Sequence, residues 1–152
     1  MKITALFAGL LIGLTNLAWA DVTPMDKKQL HHALKVSPPC CVIDGRNESS
    51  RKKRPLDDAL PYKEGMRINP TAAVVVIADN DSNAKQIATT LDKAYPGKRI
   101  FAVKGGVGVW EATLVELSRD AASGPPSGFG FVIPKNTCES GTPIQQLRSN
   151  FK

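Results

Sequence analysis

Aromatic side chains are scarce in this chain of 152 residues, at 6% of the total, and the only tyrosines are Tyr62 and Tyr95. No aromatic adjoins the one strongly basic run, Arg51-Lys52-Lys53-Arg54. A stacking platform for single-stranded nucleic acid is therefore missing, and no nucleic-acid partner is expected. The run reads as a solvated loop. Long apolar stretches are missing too: none reaches the roughly 20 residues that span a bilayer. There are 2 histidines and 3 cysteines, and three thiols allow at most one intramolecular bridge. What is present, 42% hydrophobic and 22% charged residues with a diffuse net charge of +6, is the composition of an ordinary globular domain. It excludes global disorder and a coiled coil.

The first twenty residues differ from the rest. Met1-Lys2 gives a positive start, Ile3 to Leu17 is apolar apart from small residues and Asn16, and Ala18-Trp19-Ala20 is a small-x-small site for a signal peptidase. Residues 1–20 are read as a cleaved secretory leader, 21–120 as one domain and 121–152 as an extension packed on it. The expected location is the periplasm, with no stable membrane span after cleavage. In an oxidising compartment Cys40, Cys41 and Cys138 are disulfide candidates. A bridge between neighbours is strained, because bridged Cα atoms prefer about 5.5–6 Å. Cys138 is therefore expected to pair with Cys40 or Cys41, and the sequence does not choose.

Along the domain, Asp26 to Leu34 carries Leu30, Ala33 and Leu34 on one helical face and is stopped by Pro38-Pro39. Cys40-Cys41-Val42-Ile43-Asp44 reads as a short buried strand that turns at Gly45. Pro55 to Pro61 is a turn segment that packs Leu56 and Leu60 inward. Val74-Val75-Val76-Ile77 is apolar without alternation, the mark of a strand buried on both faces of a parallel sheet. Turn and cap residues Asp79 to Asn83 follow it. Then come a helix striped by Ile87, Ala88, Leu91 and Ala94 that ends at Tyr95-Pro96-Gly97, a strand Ile100 to Val103, and Gly105-Gly106 before a helix from about Trp110 to Leu117. Strand–helix alternation of this kind gives an α/β fold with right-handed crossovers. In the extension, Phe129 to Ile133 reads as a strand and Thr142-Pro143 as the start of a short helix.

Three segments in this order resemble a rhodanese-like domain. Val42-Ile43-Asp44-Gly45-Arg46 is similar to the family's strand ending in Asp-x-Arg. Pro55 to Leu60 loosely resembles its His-Ile-Pro-Gly-Ala turn, without the His and Gly. Lys104-Gly105-Gly106-Val107-Gly108-Val109-Trp110 is similar to its Lys-Gly-Gly-x-x-x-Trp signature. The resemblance implies a mostly parallel central sheet flanked by helices. It also implies sulfur transfer through a cysteine persulfide in the loop after the central strand, cradled there by backbone N–H groups.

Laid on that pattern, the nucleophile position is Ala78, which carries no thiol. Asp79, Asn80, Asp81, Ser82 and Asn83 fill the rest of the loop and place two carboxylates where an anionic sulfur would sit. Asp44 and Arg46 are expected to organise a strand end, Gly105 and Gly106 a tight turn, and Trp110 the core. The expectation is an accessory or binding module without sulfurtransferase activity, serving a protein or small-molecule partner that the residues do not identify. The alternative is a sulfurtransferase or thiol-redox protein that uses Cys138 or the Cys40/Cys41 pair. No cofactor or metal is expected. Asp79-x-Asp81-x-Asn83 opens like a calcium loop, but Ala84 and Thr90 stand where the turn glycine and closing glutamate belong. His31 and His32, about 100° apart on a helix, do not readily face one ion together with the cysteines.

Overall fold

The computed structural model describes residues 22–123, apart from 57, together with residue 138. The leader and both elements expected in the extension lie outside the described residues. Asp26 starts the first helix, α1 (Lys27–Val36), through a reciprocal cap: its carboxylate accepts the Gln29 N–H at 3.0 Å, and the Gln29 side chain accepts the Asp26 N–H at 3.0 Å. Ser37, whose helical conformation is disfavoured by Pro38, ends it. There follow β1 (Pro39–Asp44), α2 (Glu48–Lys53), β2 (Ala59–Pro61), β3 (Ala73–Ile77), α3 (Asp81–Ala94), β4 (Ile100–Ala102) and α4 (Gly106–Ser123).

The four strands form one sheet in the order β2-β1-β3-β4, every pair parallel. The chain is therefore α/β with a parallel central sheet between helices, as the apolar, unalternating strands predict. Val74 and Val76 point to the face covered by Ala84, Ile87, Ala88 and Leu91 of α3. Val75 and Ile77 point to the other face, against Leu30 and Leu34 of α1 and Trp110 and Leu117 of α4. Each such side chain, taken fully out of water, contributes roughly 1.5–3 kcal/mol. Ladders between β3 and its neighbours, such as Asp44 opposite Ile77 and Val76 opposite Ala102, align the carboxyl ends of the strands at one edge. Among the described residues no helix is long and apolar enough to cross a membrane.

Four elements differ from the sequence reading. Ala59–Pro61, read as part of a turn segment, is the edge strand β2, parallel to β1. The basic run is helix rather than solvated loop. Asn47 caps α2 by accepting the Ser50 N–H at 2.8 Å, Glu48 lies in its first turn and Arg51, Lys52 and Lys53 in its last, so the charges follow the helix dipole. Asp81 to Asn83 belong to the first turn of α3, with Asn80 as the cap. α4 starts at Gly106, well before Trp110, and runs on through residue 120 to Ser123.

Candidate functional site

Ligand sites in parallel sheets lie outside the carboxyl ends of the strands, and there the residues of the resembled site come together. Asp44 ends β1 and Arg46 turns back onto it: Nε and Nη2 donate to the two carboxylate oxygens at 2.9 and 2.7 Å, and the Arg46 N–H adds a third bond at 3.0 Å. Both side chains are almost wholly buried, so the pair is a structural clamp without access to solvent. Gly45, between them, donates its N–H to the Ile77 carbonyl at 2.7 Å. A Cβ on Gly45 would stand 2.3 Å from the end of Ile87. Gly105 and Gly106 have positive φ, 89° and 65°, and a Cβ on Gly106 would press to 3.2 Å from the Ala78 carbonyl. Trp110 is buried in the core with α1.

Ala78 follows β3 directly, and its methyl is buried with α3 residues in the apolar layer. Only Ala78, Asp79 and Asn80 separate β3 from α3. Their polar groups are engaged. The Asp79 carboxylate accepts the Asn47 N–H at 2.7 Å and its side-chain amide at 2.9 Å. Asn80 accepts the Asn83 N–H at 2.8 Å, and Asp81 accepts the Gly105 N–H at 2.7 Å. A hydrogen bond from Ser50, those from Asn47 and the charge of Arg46 hold Asp79 below the usual carboxylate range, against a smaller opposing effect of burial. Ser82 and Asn83 are exposed on the first turn of α3. An open cleft of about 380 Å³ at this edge is lined by Tyr62, Glu64, Asn83, Gln86 and Thr90 with Gly45 and Ile87. That lining contains a carboxylate and no lysine or arginine.

The cysteines lie at the opposite edge. Cys41 is opposite Val74, four residues before Ala78 or about 13 Å along a strand. Neighbouring side chains on a regular strand point to opposite faces, yet Cys40 and Cys41 share one apolar layer with Cys138. The cause is a bulge. Pro39 pairs with Ala73 and Cys41 with Val74, so β1 spends one extra residue, Cys40, between consecutive β3 partners. Cys138 is brought in from the far end of the sequence and held by the Asn69 N–H, which donates to its carbonyl at 2.9 Å. The three Sγ atoms lie within 4.8 Å of one another, all buried, and none of them is in a disulfide. Cys138 is thus close to both expected partners and bridged to neither.

The thiols perturb one another strongly. Hydrogen bonding from Cys41 brings Cys138 down to about 7, assisted by Cys40 and the Thr71 N–H and opposed by burial. Cys41 is pushed up, first because its proton is held by Cys138 and then by burial. Burial raises Cys40, with Cys138 adding to it and the Ala72 and Thr71 backbone opposing. One thiolate held by two thiols is the arrangement this favours. The sequence led to an expectation of Cys138 beside one of the pair; that both Cys40 and Cys41 face it was missed, although the bulge left a trace. Pro39 stands in an interior strand, where proline is confined to the first residue or to a bulge.

Other clusters considered from sequence do not assemble. His31 of α1 lies 3.1 Å from Asp120 of α4 on the opposite side of the sheet from the cysteines, and His32 is exposed. Asp79 and Asp81 face different partners, as described above, rather than one ion. Compared with protein-family models, with curated proteins and with solved structures, the chain matches none of them.

Proposed function

We propose that the chain is an exported rhodanese-like domain that has given up sulfur transfer and serves as a binding or accessory module in the periplasm. The observation that carries this is the junction between β3 and α3. Where a sulfur carrier needs a thiolate inside a cradle of free N–H groups, this chain has a three-residue connection that opens on a buried methyl at Ala78. Two of the nearby donors are taken: Asn83 and Gly105 donate to Asn80 and Asp81. A sulfane anion approaching this edge meets Asp79, Asp81 and Glu64. A like-charge contact at ~4–6 Å, at an effective dielectric of about 20, costs a few kcal/mol. The Asp44–Arg46 clamp, the Gly105-Gly106 turn and the order of elements support the family reading, and the leader at 1–20 supports export.

The test is a thiosulfate:cyanide assay on the reduced full chain beside an active single-domain rhodanese. The expected result is no turnover above the uncatalysed rate. Turnover that survives serine replacement of Cys40, Cys41 and Cys138 would place a working nucleophile somewhere this reading does not.

A further inference from the structure

The cysteine cluster stands apart from the edge just discussed, and its geometry carries an inference of its own. Three sulfurs from two distant stretches of chain converge within 4.8 Å of one another. An ion bound at about 2.3 Å from each would space them roughly 3.8–4.0 Å apart, so they need to contract by less than about 1 Å. We infer that Cys40, Cys41 and Cys138 form a site for a thiophilic d10 cation, Cu(I) or Zn(II), built by the bulge in β1.

Each feature of the cluster suits that ligand. Thiolates select soft cations over the hard ones that prefer oxygen. Among the described residues no histidine or carboxylate joins the group, and three sulfurs in a dry layer suit a three-coordinate ion better than the tetrahedron of structural zinc. Cu(I) is therefore the preferred occupant. Burial of the three thiols at 2%, 1% and 0% exposure also disfavours an exposed nucleophile that turns over substrates. At the same end of the sheet, an opening of about 300 Å³ is lined by Pro38, Thr71, Ala72, Lys98 and Arg99. Binding is a displacement in which each sulfur that ligates as thiolate releases its proton to solvent. Affinity accordingly rises with pH.

The experiment is anaerobic titration of the reduced full chain with Cu(I) against a chromophoric chelator, with a parallel arm using Zn(II). Native mass spectrometry gives the stoichiometry, and X-ray absorption at the metal edge counts the sulfurs. The expected result is one ion per chain coordinated by three sulfurs, with Cu(I) retained against more chelator than Zn(II). Each of Cys40→Ser, Cys41→Ser and Cys138→Ser should weaken binding roughly 100-fold or more, since even groups behind the ligands are worth 10–100-fold. If a variant fails to fold, the sulfur count on the unaltered chain decides alone. Binding that is absent, that the serine variants leave unchanged, or that shows fewer than three sulfurs would overturn the proposal. So would a Cys138 disulfide that persists in the folded chain under reductant.

Discussion

At the scale of single residues, Arg46 and Gly106 carry the sharpest expectations. Arg46→Ala leaves the Asp44 carboxylate buried without its two side-chain donors, and breaking a buried pair from one side costs about 3–5 kcal/mol. Urea denaturation should show the midpoint falling accordingly, while Lys98→Ala at the surface should leave it nearly unmoved. Gly106→Ala forces a Cβ into a left-handed backbone, at about 1–2 kcal/mol, and against the Ala78 carbonyl. Thermal unfolding measures that loss. The Asp44–Arg46 role was what the resemblance implied, and the turn at Gly105-Gly106 was legible because glycine alone takes positive φ readily. The meeting of Cys40, Cys41 and Cys138 was not. It depends on a one-residue slip in register, which periodicity does not reveal, and on the docking of a distant segment.

Among the elements, α2 shows why local pattern was insufficient. It buries none of its residues, so it has no apolar stripe to be read, and it rests on its cap and charge order instead. Asn47 serves α2 twice, capping it through Ser50 and tying it to Asp79. Asn47→Ala should therefore cost about 1 kcal/mol or somewhat more, seen as a lower urea midpoint. Asp79 adds a pH dependence. Its folded pKa is depressed, so its contribution is complete above the ordinary aspartate range and is lost as the pH falls through the lower folded value. The stability difference between the unaltered chain and Asp79→Ala, followed by urea unfolding, should be full at neutral pH and shrink in acid. A difference that grows on acidification would contradict the assigned bonds. The early start of α4 escaped notice for a related reason: glycine is a poor helix former, and the helix begins at Gly106 because the turn needs it there.

For the whole molecule, the layered α/β plan was legible because Val74 to Ile77 and Ile100 to Val103 are too continuously apolar to face water. The strand order was not, because nothing local says that β1 lies between β2 and β3. The resulting architecture separates two chemistries. The strand carboxyl ends hold Asp44, Arg46, Asp79 and Asp81, tied into hydrogen bonds, and the opposite edge holds the thiols. Ala78→Cys should accordingly restore little activity in the thiosulfate:cyanide assay. The new sulfur would start from a buried position, beside two carboxylates and with the Asn83 and Gly105 N–H donors already engaged. High turnover from that one change would show the electrostatic argument to be wrong.

The most direct measurement is the intact mass of the reduced full chain after incubation with thiosulfate and removal of the excess, followed by peptide mapping of any adduct. With no thiol at the carboxyl edge and the three cysteines buried, the mass should be unchanged. A stoichiometric gain of one sulfur atom on a single cysteine would contradict this account and make the chain a sulfur carrier.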